Sequence, residues 1–258
     1  MSTAAPDPDP DPGPGAADDP VLARALGYPY PVPDHSYLLT AAGPVPLAPG
    51  GPPPDLAGRT PVLATGSNRA PEQLARKFEG MGAVAIPVIR CRLWDFDAVY
   101  SAHFARYGAI PAVLRPSPGT AVELAVTWLT DRELAQMHAT EALGVNYDAG
   151  RAEGVRLEPE FGPAPGAVWA YVGRRGYLDW DGAPVALAEV AATGRTLPAA
   201  GQAQVQRRVH GRLGAGTAFA DFVRGNAGDD ALRAARIARL AATAHPGQAG
   251  PFVVDPRA

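Results

Sequence analysis

A short loop and one distant glutamate are the residues whose types and spacing suit them best to chemistry. The apolar run 61–65 breaks into Gly66-Ser67-Asn68-Arg69-Ala70-Pro71, where a helical pattern begins. Gly66 and Asn68 tolerate the positive φ angles of a sharp turn, and Pro71 suits a first helical position. The backbone N–H groups of such a turn, at the positive end of a helix dipole, can hold a carboxylate or a developing oxyanion. Glu141, near the end of a later helical pattern, is the candidate acid/base.

Both features also have ordinary structural interpretations. Turns composed like Gly66-Ser67-Asn68 are common between a strand and a helix. A glutamate at the end of a partly apolar helix face is usually solvated or paired with a nearby arginine. Glu141 gains a chemical role only if the strand before its helix lies beside the strand 61–65, because that arrangement would bring the carboxyl group to the loop.

The other chemistry-bearing residues favour structural roles. His138 and Glu141 have the spacing of metal ligands on a helix, but no third ligand is evident in the sequence. Ser67 lacks the glycine-flanked elbow of a nucleophilic serine, and the run 179–182 is typical of a hairpin turn rather than a calcium loop. Cys91, the only cysteine, lies in a strand pattern and is interpreted as a buried structural thiol. We therefore expect no metal site.

One sheet with a few helices has to position the loop and the glutamate. Apolar runs bounded by turn residues predict strands at 61–65, 83–93, 96–104, 110–114, 121–129, 147–157 and 168–178. Helical spacing predicts helices at 71–78, 130–143, 202–213 and 229–242. At the start of the second helix, Thr130 and Glu133 have the spacing of a capping box. Glu141 shares a helix face with Leu134 and Met137, so we expect it at the helix end, near the core side.

Composition divides the chain into four stretches. Residues 1–20 are acidic and rich in proline and are predicted to form a disordered tail. Residues 21–59 are interpreted as an N-terminal extension and linker, and residues 60–225 as the main domain. A polar, glycine-bearing break near 225–230 precedes a C-terminal helix and tail, residues 226–258.

Length, charge and cysteine content exclude several classes of protein. With 258 residues, of which 47% are apolar, one core of ordinary size is expected. A net charge of -3 argues against a nucleic-acid partner, and a single cysteine excludes an internal disulfide framework. The first residues do not have the basic and then apolar pattern of a secretory signal, and no run is long enough to span a membrane. We expect a cytoplasmic protein without a membrane partner.

Four blocks of the sequence follow one another in a recognisable order. They are Ala64-Thr65-Gly66-Ser67-Asn68, then Arg92-Leu93-Trp94-Asp95-Phe96 with Gly108-Ala109-Ile110-Pro111-Ala112, then Pro116-Ser117-Pro118-Gly119 with residues 122–128, and last Leu134-Ala135-Gln136-Met137 leading to Glu141. The first block is similar to an Ala-Tyr-Gly-Ser-Asn substrate loop, and the next two to Arg-Leu-x-Asp-Phe and Gly-x-Ala core strands and a Ser-Pro-Gly turn. The last is similar to a helix that ends in an acid/base glutamate. In this order the blocks resemble the gamma-glutamylcyclotransferase-like superfamily, over rather more than half of the chain.

The resemblance implies an α+β fold, in which a small mixed β-barrel with a few flanking helices holds a cavity at its mouth. It also implies a reaction in which a gamma-glutamyl substrate attacks its own side-chain amide with its α-amine and releases 5-oxoproline and a free amine. Glu141 would be catalytic, and Thr65, Gly66, Ser67, Asn68 and Tyr171 would bind the substrate. The partner implied is a small gamma-glutamyl-type molecule, and no cofactor is implied.

Two departures from the family pattern bear on the pocket. Thr65 stands where the family loop usually has tyrosine, which removes an aromatic wall and a phenol. The region 183–185 lacks the tyrosine that relatives place near the substrate, and Tyr171 or Tyr177 is a candidate replacement. The segment 100–107 exceeds the family core, and it is interpreted either as a cover for the cavity or as a solvated hairpin tip.

Two functions other than catalysis stay open at this point. The chain is compatible with a noncatalytic binding module that retains the barrel and its cavity. It is also compatible with a structural or interaction protein, in which side chains would fill the cavity and Glu141 would lie outside hydrogen-bonding reach of the loop backbone.

Overall fold

The computed structural model describes residues 19–48 and 50–255. Within these ranges the six helices are α1 Pro20–Leu26, α2 Pro71–Lys77, α3 Asp131–Thr140, α4 Gln202–Leu213, α5 Phe219–Gly228 and α6 Asp230–Ala241. The strands of the described residues are β1 Tyr37–Thr40, β2 Gly43–Pro46, β3 Thr60–Ala64, β4 Ala85–Tyr100, β5 Ala112–Leu129, β6 Tyr147–Glu153, β7 Leu157–Pro159, β8 Ala167–Gly173, β9 Asp179–Trp180, β10 Ala183–Pro184, β11 Ala186–Leu187, β12 Ala192–Thr193, β13 Ala199–Ala200 and β14 Val253–Val254. The tail predicted for residues 1–20 lies outside the described residues, apart from Asp19 and Pro20.

Twelve of the strands in the described ranges form one mixed sheet. Its main path runs β13-β11-β4-β5-β3-β8-β6-β14, while β1, β2, β7 and β12 pair beside it. The sheet is mixed because β3 is antiparallel to β5 but parallel to β8. The predicted α+β class is therefore confirmed. Among the described strands the path is open between β13 and β14, so no closed barrel is found.

Strands β4 and β5 form one long antiparallel hairpin where the sequence pattern predicts four separate strands. Their register shifts between Trp94 and Phe96, and Asp95 at that point has a φ of 64°. On the facing strand Gly119 has a φ of 82° and donates its N–H to Asp95 Oδ1 at 2.8 Å. The predicted Ser-Pro-Gly turn is therefore wrong: these residues form a bulge that bends a continuous ladder. Polar and glycine residues mark a bulge and a turn alike, so only the pairing distinguishes the two.

The predicted break near 225–230 is also different in the structure, where α5 continues to Gly228. Helix α5 is held by buried contacts: the ring of Phe222 lies 6.0 Å from that of Phe104, and Arg236 Nη1 donates to Asn226 Oδ1 at 2.7 Å. Tertiary packing thus outweighs the low helix propensity of its two glycines. Asp229 then caps α6, as predicted, by accepting the N–H of Leu232 at 2.9 Å.

A cluster of buried apolar side chains packs α2 and α3 against the sheet. Leu74 and Phe78 of the α2 region pack in it with Met137 of α3 and Leu129 of β5. Because Leu74 and Met137 are fully buried, the ends of the two helices are held side by side. No helix in the described residues is both long and apolar enough to cross a membrane.

A buried ion pair outside this cluster carries a stability prediction. Asp97 in β4 is inaccessible to solvent, and its carboxylate accepts three hydrogen bonds from Arg195, at 2.8 Å from Nη2 and at 2.9 and 3.2 Å from Nε. Replacing Asp97 by asparagine leaves the arginine charge without compensation, and we expect the free energy of unfolding to fall by about 3 to 5 kcal/mol. Urea denaturation of the variant and the wild type measures this difference in the free energy of unfolding. Glu153→Gln, which disrupts an exposed pair with Arg151, is the control, and its effect should stay below about 1 kcal/mol. Equal losses in both variants would contradict the prediction.

Candidate active site

A cavity of about 770 Å³ lies between the loop after β3, the helix α2, the end of α3 and the segment 100–107. All residues predicted for the site line this cavity, namely Thr65, Gly66, Ser67, Asn68, Glu141 and Tyr171. They come together because β3 and β5 are neighbours in the sheet, with Leu63 opposite Val126. The loop leaves the end of β3, while α3 follows β5, so the sheet brings two distant parts of the chain to one wall.

The loop after β3 forms a short 3-10 helix, Ser67–Arg69, before α2 begins at Pro71. The prediction of positive φ angles is wrong: Gly66 has a φ of -115°, and Asn68 is not among the described residues with positive φ. Glycine is required for space instead, since a Cβ on Gly66 would lie 1.9 Å from Tyr28 Oη. Among the described residues the N–H groups of Ser67 and Asn68 donate to no other group, so both are available as hydrogen-bond donors.

Glu141 ends α3 as its C-cap residue, as the helix pattern predicts, and its carboxylate is held on two sides. Oε1 accepts a hydrogen bond from Asn68 Nδ2 at 2.7 Å and another from Lys77 Nζ. Both side chains of the ion pair are nearly buried, with Lys77 9% and Glu141 11% exposed. Glu141 therefore reaches the loop through the Asn68 side chain, and its charged partner is a lysine rather than an arginine.

Sequence analysis did not identify Lys77 as a functional residue. Two signals point to it, since it is the only lysine among the 258 residues and it lies on the apolar face of α2 between Leu74 and Phe78. A buried ammonium group is costly unless it is paired, so a lysine at such a position requires a nearby carboxylate. The sequence alone does not say which carboxylate that is.

Four tyrosines form aromatic walls of the cavity. The phenols of four buried or half-buried tyrosines line the cavity: Tyr28, Tyr107, Tyr147 and Tyr171. Burial raises the pKa of each phenol, and the nearby charge of Glu141 raises it further. All four phenols therefore stay neutral at physiological pH and act as hydrogen-bonding walls.

Two of these tyrosines have fixed partners. Tyr28 accepts the N–H of Ala112 at 2.8 Å, so a residue ahead of the predicted domain closes one side of the loop. The hydroxyl of Tyr171 lies 3.0 Å from His138 Nδ1, which fixes its ring against the end of α3. Tyr177, the other candidate from sequence, does not line the cavity and instead donates to the carbonyl of Gln248 at 3.1 Å.

The segment 100–107 forms part of the cavity wall and is not a solvated tip. Ser101, His103 and Phe104 are almost completely buried, and only Arg106 at the rim is exposed. Burial lowers the pKa of His103 to about 3, so its imidazole is neutral, and its Nδ1 lies 2.8 Å from Ser101 Oγ. Such a histidine shapes the wall and holds no charge near the ligand.

The charges that line the cavity are unequal in number. Among the described lining residues there are four cationic side chains, Arg24, Arg76, Lys77 and Arg106, against the one carboxylate of Glu141. The whole chain, by contrast, has a net charge of -3. The excess of cationic side chains in the lining favours a ligand with carboxylate or other anionic groups.

The structure gives no partner set for a metal at this site. His138 contacts Tyr171, and burial lowers the pKa of its imidazole. In the part of the chain that the structure describes, no three side chains of histidine, cysteine, aspartate or glutamate converge. The turn at 179–182 is a hairpin between β9 and β10, in which Asp179 Oδ1 accepts the N–H of Gly182 at 3.1 Å.

Comparisons with known proteins add no relative to this picture. The chain matches no model of a protein family, no curated protein and no solved structure. What the site does therefore has to be inferred from its own residues: an ion-paired glutamate, a loop with two free N–H groups, and neutral phenols around a cavity of positive charge.

Proposed function

We propose that this protein is an enzyme of the gamma-glutamylcyclotransferase type, which cleaves a gamma-glutamyl amide by intramolecular cyclisation. The observation that carries the proposal is the contact between Glu141 Oε1 and Asn68 Nδ2, 2.7 Å apart at the wall of the cavity. It brings an acid/base carboxylate to the loop whose N–H groups suit an oxyanion.

The proposed reaction uses these groups in sequence. Glu141 takes a proton from the substrate's α-ammonium group, and the amine nitrogen forms a bond to the side-chain amide carbon. The N–H groups of Ser67 and Asn68 stabilise the oxyanion that develops on the carbonyl oxygen. The attacking nitrogen gives up its second proton as the intermediate collapses with cleavage of the amide C–N bond. The leaving nitrogen receives that proton and the one held by Glu141, so the amine departs as an ammonium ion and Glu141 is again a carboxylate. One bond forms and one breaks, and the products are 5-oxoproline and a free amine.

The walls of the cavity support an intramolecular reaction of the substrate. The substrate must bend so that its amine reaches its own amide carbon, and rigid walls such as Tyr28 and Tyr147 favour one bent conformation over many extended ones. Because these phenols are held neutral, they do not compete with Glu141 for the proton.

We also assign the sheet to the small mixed barrel that the resemblance implies. The bent β4–β5 hairpin supports this assignment, as does an isolated bridge between Ser101, at the end of β4, and Tyr177, in the segment that follows β8. The bridge joins the end of β4 to the chain after β8, and these two strands are not neighbours in the sheet.

Release of 5-oxoproline tests the proposed function. The purified protein would be incubated with a panel of gamma-glutamyl amines and gamma-glutamyl amino acids, and 5-oxoproline would be measured by mass spectrometry. We expect at least one member of the panel to be converted at a rate proportional to enzyme concentration. No conversion of any member would count against the proposal.

A noncatalytic binding protein is the second candidate, and one observation favours it. Lys77 contacts the carboxylate of Glu141, which a free base would present to its substrate. Calorimetry distinguishes the two candidates, because a binding protein would bind gamma-glutamyl amines tightly and return them unchanged.

A further inference from the structure

We propose that Lys77 binds the α-carboxylate of the substrate, exchanging its contact with Glu141 for one with the ligand. This inference rests on the proposed function and names the recognition element of that site. The substrate class it selects is an amide whose acyl part carries a free α-amino acid head group, with its ammonium on Glu141 and its carboxylate on Lys77.

The geometry of the amino acid head group points to this lysine. An α-amine and an α-carboxylate are attached to one carbon atom, so the two protein groups that bind them must also be neighbours. In the cavity Lys77 Nζ contacts Glu141 Oε1 directly. The other lining cations lie farther out, since Arg24 and Arg106 are exposed and Arg76 is paired with Glu72.

The charges of the pair match those of the ligand. Glu141 and Lys77 compensate each other's charge, and both side chains are about nine-tenths buried. A zwitterionic head group brings one charge of each sign, so both protein groups keep an opposite charge when the ligand separates them. A ligand with an ammonium but no carboxylate would take Glu141 and leave Lys77 as an uncompensated buried charge, which is unfavourable.

The position of Lys77 is also well defined. The Lys77 Nζ lies 3.7 Å from Met137 Sδ, and the Lys77 backbone carbonyl accepts a hydrogen bond from Gln136 Nε2 at 2.7 Å. Two contacts with α3 thus hold the last turn of α2 in place. The loop N–H groups could bind either the substrate carboxylate or the oxyanion. If Lys77 binds the carboxylate, the N–H groups of Ser67 and Asn68 remain available to stabilise the oxyanion.

The test compares two substrates that differ only in the α-carboxylate. One is a gamma-glutamyl amide, and the other is the corresponding 4-aminobutanoyl amide, which cyclises to 2-pyrrolidinone by the same route. Lys77→Met should lower kcat/KM for the gamma-glutamyl amide by about 10- to 100-fold, chiefly through KM, since it removes a charge-assisted hydrogen bond. The same variant should not lower the value for the 4-aminobutanoyl amide, because in the wild-type site that substrate leaves the charge of Lys77 uncompensated. Lys77→Arg retains the positive charge and should recover part of the lost kcat/KM. The control is Arg92→Met, which changes an exposed residue outside the cavity and should leave kcat/KM for both substrates unchanged. Equal losses on both substrates would overturn the proposal.

Binding without turnover separates this inference from the proposed function. Calorimetry would measure L-glutamate and 4-aminobutanoate on the wild-type protein, on Lys77→Met and on Lys77→Arg, with thermal unfolding as the check of folding. We expect glutamate to bind Lys77→Met about 10-fold or more weakly than it binds the wild type, while 4-aminobutanoate loses no affinity in either variant. If this pattern appears while no 5-oxoproline forms, the proposed reaction fails and the carboxylate site stands. If 5-oxoproline forms while glutamate binds equally to all three proteins, the carboxylate site fails and the reaction stands.

Discussion

Glu141→Gln is expected to lower kcat for 5-oxoproline release by about 10²- to 10⁴-fold, the usual contribution of a positioned acid/base. The amide has nearly the size of the carboxylate and its oxygen can still accept the hydrogen bond from Asn68 Nδ2. It cannot take a proton from the substrate's ammonium, so the amine does not become a nucleophile. Initial rates at saturating substrate measure kcat, and the weaker contact with the substrate's ammonium is measured separately as a rise in KM.

The control for this variant is Glu158→Gln, in an exposed pair with Arg156 away from the cavity. It should retain the wild-type rate, while both variants should have circular dichroism spectra like that of the wild type. A Glu141→Gln protein that is folded and turns over within about 3-fold of wild type would remove Glu141 from the mechanism. The contact with Lys77 would then be purely structural.

Gly66→Ala is expected to disturb both stability and catalysis. A Cβ at this position would lie 1.9 Å from Tyr28 Oη and 2.8 Å from Tyr28 Cζ, so either the loop or the tyrosine must move. Tyr28 is nearly inaccessible and accepts the N–H of Ala112, which limits its movement. We expect a loss of about 1 to 3 kcal/mol in the free energy of unfolding, as for other overpacked cores. A shift of the loop by about 1 Å would in addition lower kcat/KM by about 10²-fold.

Urea denaturation and the 5-oxoproline assay measure the two effects. Gly211→Ala is the matched control: its Cβ would meet no atom within 4 Å, and alanine is the better helix former inside α4. If the phenol causes the clash, Gly66→Ala combined with Tyr28→Phe should lose less stability than the sum of the two single variants. Wild-type stability and rate in Gly66→Ala would contradict the contact on which the prediction depends.

Features of the fold that depend on neighbouring residues agree with the sequence analysis. The capping box forms as predicted, with Glu133 N donating to Thr130 Oγ1 at 3.3 Å and Thr130 N donating to Glu133 Oε2 at 2.8 Å. Pro71 opens α2, and Asp229 caps α6. Each of these depends on side chains within about one turn of the chain, where residue type and spacing already contain the geometry.

Features that depend on pairing were not predictable from residue patterns. The Asp95 and Gly119 bulge looks like a turn until the partner strand is known, because both structures use residues that tolerate positive φ. Helix α5 crosses a stretch that composition marks as a break, and it forms because Phe222 and Val223 are completely buried. In both cases contacts between distant segments decide between two local conformations of similar energy.

The candidate site shows the same division. Residue types and order along the chain were sufficient to single out the Gly66-Ser67-Asn68 loop and Glu141, since a glycine-containing turn before a helix and an acid at a helix end are visible as local patterns. The contacts of the Glu141 carboxylate depend on packing between segments far apart in sequence. Leu74 and Met137 fix how α2 lies on α3 and so place Lys77 on the carboxylate, and the chain before the sheet places Tyr28 over Gly66. These distances follow from how buried side chains fill a shared core, and no spacing along the sequence records them.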